Sequence, residues 1–175
     1  MIDVFAADEQ RDAPVPIEAL VELTRAVLAD RGLRGGTEVS LLFVDEGTIA
    51  ALNERFLQHE GPTDVLSFPV EDELETSGRF PDSGGTGPGT RPKPELPLLL
   101  GDVVICPAVA ARQAVEHGVA IEDELALLVV HGTLHLLGMD HEKDDEADRM
   151  ERLEQDLLDR YHRGRPTKVE DRADK

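Results

Sequence analysis

The sequence predicts an α+β domain, a small mixed sheet of about four strands packed with about five helices. Four short runs are rich in β-branched and large apolar residues, and five longer stretches repeat apolar residues at helical spacing. They follow one another in the order β-α-β-α-β-β-α-α-α, a mixture that suggests a small mixed sheet carrying helices. The length, 175 residues, is that of one domain with one core.

Ile2 to Ala6 reads as the first short strand. Pro14 and Pro16 announce a helix in which Ile17, Leu20, Val21, Thr24, Val27 and Leu28 share one face, with Gly32 as its stop. Thr37 to Val44 is a buried strand by its β-branched and aromatic content. Thr48 can cap a short helix carrying Ile49, Leu52 and Phe56, which Gly61-Pro62 breaks. Asp64 to Val70 reads as a strand, and Pro69 places it at a sheet edge or at its own end. Leu98 to Cys106 is the last strand, Pro107 opens a helix and Gly118 ends it. Glu122 to Leu137 is apolar around much of its circumference, so it should be a central buried helix. Asp144 to Tyr161 closes the fold as an acidic helix with Met150, Leu153, Leu157 and Leu158 inward. A single domain over residues 1–160 is expected, with a polar, disordered tail over 161–175. Within it, residues 71–97 form a flexible insertion, because nine of the seventeen residues from Pro81 to Pro97 are Gly or Pro.

Composition excludes several classes. With 18 Lys and Arg against 37 Asp and Glu, the net charge is −19, so no broad basic surface can coat a nucleic acid. Nucleic-acid binding would have to be local, slow and cation-dependent against that field. One cysteine, Cys106, rules out a disulfide framework and suits a reducing compartment; it reads as a small buried hydrophobe. No secretory leader and no membrane-spanning run is expected, which predicts a cytoplasmic protein. Aromatic residues are 3%, with no Trp, which argues against a base-stacking platform.

The chemistry concentrates at His131-Gly132-Thr133-Leu134-His135-Leu136-Leu137-Gly138-Met139-Asp140-His141. His131 and His135, four apart, project from one helix face one turn apart. Gly138 can end the helix in a left-handed conformation and bring His141 back as a third nitrogen ligand. Burying three imidazoles there without a common partner would leave donors and acceptors unpaired, at about 1–3 kcal/mol each. Three ligands with a fourth position open are the mark of a catalytic zinc site, one Zn2+ per chain. The spacing matches the zinc-peptidase pattern H-E-x-x-H-x-x-G-x-x-H except that Gly132 replaces the glutamate base. Metal-centred electrostatics must then suffice, or the base comes from elsewhere.

That segment resembles the signature of the YbeY family, bacterial metal-dependent endoribonucleases of ribosomal RNA maturation. Pro62-Thr63-Asp64-Val65-Leu66-Ser67-Phe68-Pro69 and Leu100-Gly101-Asp102-Val103-Val104-Ile105 agree, with Leu52-Asn53 upstream, over about Val39 to Leu158. The resemblance implies a compact α+β domain with a zinc held by His131, His135 and His141. It also implies cleavage of single-stranded RNA, maturation of the 3′ end of 16S ribosomal RNA and a part in ribosome assembly and quality control. The expected partners are therefore single-stranded ribosomal RNA and the ribosome or its proteins, and neither DNA nor a membrane. Many family members carry an Arg five residues before the Pro of the P-T-D segment, and here that position is Leu57. Arg55, two residues earlier, points elsewhere on a helix and does not inherit the role. Zinc can stabilise charge on a phosphoryl oxygen and supply hydroxide, or assist attack by the RNA's own 2′-OH; both routes stay open.

Further residues carry two readings each. Asp140 can orient a ligand imidazole, and is the weak candidate for a base, or it can cap the next helix. Glu124 is placed to complement its helix dipole. Thr63 and Ser67, with Asp64, can line the groove and bind substrate, or serve the turn. His59 and His117 sit in polar turns and read as solvated. Nine acids and four bases from Glu142 to Arg160 read as a solvated face, or as a device to repel misplaced RNA or dock a basic protein. Two rivals remain, a metallopeptidase with a base from outside the helix and a non-enzymatic ribosome-assembly factor with a structural metal.

Overall fold

A computed structural model describes residues 1–70, 97–139 and 142–164. The described elements are β1 (Asp3–Asp8), α1 (Ile17–Asp30), β2 (Thr37–Phe43), α2 (Glu46–Leu57), β3 (Val65–Pro69), β4 (Leu98–Ile105), α3 (Pro107–His117), α4 (Ile121–Leu136) and α5 (Asp144–Leu158). The insertion 71–97, apart from Pro97, and the end of the chain from residue 165 lie outside the described residues. The predicted α+β architecture, four strands with five helices, is the one observed.

The sheet runs β1-β2-β4-β3. β1 pairs parallel to β2, β2 parallel to β4, and β3 antiparallel to β4, so the sheet is mixed and β3 is an edge, as Pro69 requires. Alternation along the strands divides the core in two. Val39, Leu41, Phe43, Val103 and Ile105 join the main cluster with α1, α4 and α5, while Val104 and Leu66 face the other way, onto Ile49 of α2 and Cys106. α4 is the central helix: Leu125, Val129, Val130 and Leu134 are wholly buried.

Two boundaries differ from expectation. α2 starts at Glu46, and its cap is Asp45, not Thr48; the Asp45 carboxylate accepts the Thr48 backbone N–H at 2.8 Å. That bond holds the Asp45 carboxyl below its ordinary range. Past α5, a turn of π-helix spans Asp159–Arg163, carrying order beyond residue 160 where the sequence places the end of the domain. Asp30 explains it, accepting from Arg160 Nη1 at 2.7 Å and from the Tyr161 hydroxyl at 2.9 Å. One apolar helix passing through the centre of a small domain puts its C-terminal turns beside the edge strand, and the histidines are on those turns.

Candidate metal centre

His131 and His135 stand on the last turns of α4, the side on which the helix meets β3. Helical spacing alone brings them together: the ring centroids are 4.5 Å apart, and the two Nε2 atoms face each other at 3.0 Å. The helix stops as its glycine dictates. Gly138 has φ +88°, its N–H reaches the His135 carbonyl at 3.0 Å, and Met139 N–H reaches Leu134 at 3.1 Å. The chain thus turns where the sequence places the turn. His141 and Asp140, the third ligand and the weak base candidate, lie outside the described residues. Among the described residues no group of three or more His, Cys, Asp or Glu side chains is gathered to hold a metal.

Gly132 has a packing reason of its own. A Cβ at this position would stand 2.5 Å from Val103 Cγ1, 3.2 Å from Ser67 Oγ and 3.3 Å from Val65 Cγ2. The Ser67 hydroxyl donates to the Gly132 carbonyl at 2.9 Å, so β3 lies directly on the helix backbone. No side chain fits where a zinc peptidase would carry its glutamate.

The imidazoles open onto a groove of about 800 Å³ that also borders His59, Asp64, Ser67 and Glu142. Ser67 is thus on the groove wall with its hydroxyl proton committed to Gly132. Thr63 donates to Asp64 Oδ1 at 3.2 Å, and the same oxygen accepts the Val65 N–H at 2.8 Å, so both residues organise the turn into β3. Leu57 borders the groove where many family members have Arg, and neither Lys nor Arg is among its described wall residues. Arg55 points away, as its helical position dictates, with its guanidinium 5.2 Å from the Phe56 ring. His59, which reads from sequence as a solvated turn residue, is exposed but stands on the groove rim.

Two buried acids have histidine partners that the sequence does not show. Glu124 lies in the first turn of α4, where the dipole reading places it, and it is also 3% exposed and an ion-pair partner of His117 Nδ1 at 3.0 Å across the α3–α4 turn. His117 is accordingly not simply solvated, and the Glu124 hydrogen bond raises its pKa. Glu154, which the sequence leaves in the solvated acidic run, is 7% exposed and sits 2.5 Å from His131 Nδ1. A signal for it exists: Glu154 is four residues from both Met150 and Leu158, on the apolar stripe.

The match to the endoribonuclease YbeY family model spans residues 5–162. The chain belongs to the YbeY family. It is 45% identical to the endoribonuclease YbeY of Nocardia farcinica over 85% of this chain and 74% of that protein. It is 46% identical to that of Acidothermus cellulolyticus over 84% and 87%. The solution structure of TM1509 from Thermotoga maritima superposes with a TM-score of 0.53 at 23% identity, covering 92% of this chain and 91% of that one, which bears on the fold alone. Membership in YbeY agrees with the motifs at 62–69, 100–105 and 131–141. In the described residues no helix is long and apolar enough to cross a membrane.

Proposed function

We propose that the chain is a zinc-dependent endoribonuclease cutting single-stranded RNA, acting in maturation of the 3′ end of 16S ribosomal RNA and in ribosome quality control in the cytoplasm. Membership in the YbeY family supports the endoribonuclease role. The single observation that carries the metal is the pair of Nε2 atoms at 3.0 Å on the wall of an open groove. The donor set fits zinc: two imidazoles one turn apart can each reach an ion at about 2.0–2.1 Å, and His141, three residues past the Gly138 turn, is the proposed third ligand.

When bound, the zinc supplies a Lewis acid for the scissile phosphate. The chain's own residues account for the rest. His131 and His135 would hold the ion, and Ser67 holds β3 against α4 so that the groove keeps its width. Neither Gly132 nor Leu57 can take or give a proton. Proton transfer then falls to His59 or Asp64 on the wall or to Asp140; where the substrate's own 2′-OH is the nucleophile, one of these takes its proton and no protein nucleophile is needed.

The experiment is cleavage of a single-stranded RNA by the full chain with chelator, with zinc restored, and with His131→Ala or His135→Ala. Cleavage should vanish with chelator, return with zinc and be absent in both variants. A 2′-deoxy substrate cut at a similar rate would exclude attack by the 2′-OH. Casein assayed alongside tests the peptidase rival, whose base would have to come from outside the helix, since Gly132 has no room for a side chain. Variants that unfold while the wild type cuts nothing would favour the assembly factor with a structural metal. In cells lacking the protein, 16S precursor with an unprocessed 3′ end should accumulate.

A further inference from the structure

We propose that Glu154 is a positioning residue of this site: its carboxylate fixes His131 in the tautomer that carries hydrogen on Nδ1 and turns the Nε2 lone pair toward the metal. The inference rests on the metal reading above. An unassisted neutral imidazole can hold its proton on either ring nitrogen, and only the nitrogen without it can ligate. Glu154 Oε1 is 2.5 Å from His131 Nδ1, and an ionised carboxylate only accepts, so the hydrogen belongs to Nδ1. His131 Nε2 then keeps its lone pair and is the acceptor in the 3.0 Å contact with His135 Nε2, and that lone pair is the one a metal would take.

The placement of Glu154 is costly without such a purpose. α5 is an acidic helix with ample solvated positions, among them Asp148 and Glu151, yet this carboxylate is turned inward between Met150 and Leu157, both at most 2% exposed. A buried carboxylate must be paired, and the imidazole is the partner it reaches. The pair spans two helices, so the rotation of the His131 ring is set from α5 and not by α4 alone. Helix packing by itself would be served as well by an apolar residue on this stripe.

The test measures Zn2+ affinity of the full chain, by competition with a chromogenic chelator, for the wild type, Glu154→Ala, Glu154→Gln and Asp148→Ala. Glu154→Ala should bind about 10–100-fold more weakly. Glu154→Gln, whose amide oxygen can still accept from Nδ1–H, should fall between. Asp148→Ala removes the same charge from an exposed place on the same helix and should bind as the wild type does. In parallel, two-bond 1H–15N spectra of the metal-free protein, at a pH where imidazoles are neutral, should show His131 protonated on Nδ1 in the wild type and redistributed in Glu154→Ala. Equal affinity in Glu154→Ala, or a wild-type His131 protonated on Nε2, overturns the inference. A lowered melting temperature with affinity and tautomer unchanged also overturns it, assigning Glu154 to helix packing. If Glu154→Ala does not fold, Glu154→Gln carries both readouts. A wild type that binds no Zn2+ would defeat the metal reading, and the spectra would still decide whether Glu154 sets the tautomer.

Discussion

Gly132 shows how one position can be read two ways and be constrained by both. From the sequence it is the place where a peptidase base is missing, and in the structure it is the point where a helix backbone touches a sheet. An added methyl group would meet Cγ1 of the wholly buried Val103 at 2.5 Å. Alanine gains about 1 kcal/mol of helix propensity over glycine, while overpacking costs about 1–3 kcal/mol. Gly132→Ala should therefore lose up to about 2 kcal/mol in urea unfolding. Adding Val103→Ala should restore part of it, with a coupling of about 1 kcal/mol; strictly additive losses would show that the contact does not matter. Cys106 is the opposite case, legible at once as a small buried hydrophobe. It is wholly buried, and loss of solvation pushes its thiol pKa up. Alkylation near neutral pH should be slow in the folded protein and fast in denaturant, and comparable rates in both would contradict its burial. His131 and His135 were legible because helical spacing places two side chains without reference to any other element. Glu154 was not, nor was the His117 partner of Glu124, since an acid on a charged helix looks solvated until a second helix is packed against it.

At the scale of elements, strands and helices could be read to within about three residues, because each carries its own periodicity. Pairing order could not. β4 lies between β2 and β3, and only contacts remote in sequence decide that. The α3–α4 turn illustrates the same limit. His117 ends α3 and Glu124 lies in the first turn of α4, so the pair exists only once Gly118, at φ +67°, folds one helix back toward the other. Its strength should depend on pH. Glu124 raises the His117 pKa through its hydrogen bond and charge, with Glu116 adding a smaller effect. A raised folded value means stabilisation that is full below the unfolded pKa of about 6.5 and declines as pH rises through the folded value. The melting-temperature advantage of the wild type over His117→Ala should therefore be larger in mild acid than in mild alkali. An advantage that is flat, or grows with pH, would mean the pair contributes no charge interaction.

For the whole molecule the governing fact is a net charge of −19 on a protein proposed to bind a polyanion. Most RNA-binding surfaces gain affinity by releasing counterions from phosphates, so salt weakens them steeply. Here the groove wall offers Asp64 and Glu142 and, among its described residues, neither Lys nor Arg, so that gain is small. The dominant long-range term is repulsion between chain and substrate, and salt screens repulsion as readily as attraction. The screening length falls from about 30 Å at 0.01 M to about 10 Å at 0.1 M ionic strength. Encounter with RNA should consequently become easier over that interval, at constant zinc. The measurement is kcat/KM for a short single-stranded RNA against potassium chloride, where a rise or a plateau is expected across the interval. A steep fall would mean that a cationic surface beyond the described groove governs binding, and that the acidic field stops short of the site. The same logic makes partner choice a matter of charge: a strongly acidic enzyme meets free RNA poorly, but meets RNA already held on basic ribosomal protein at little electrostatic cost. Neutralising Asp148, Glu151 and Asp156 on the exposed side of α5 should then speed cleavage of free RNA while weakening association with ribosomes. Gains or losses on both substrates together would separate this helix from any choice between them.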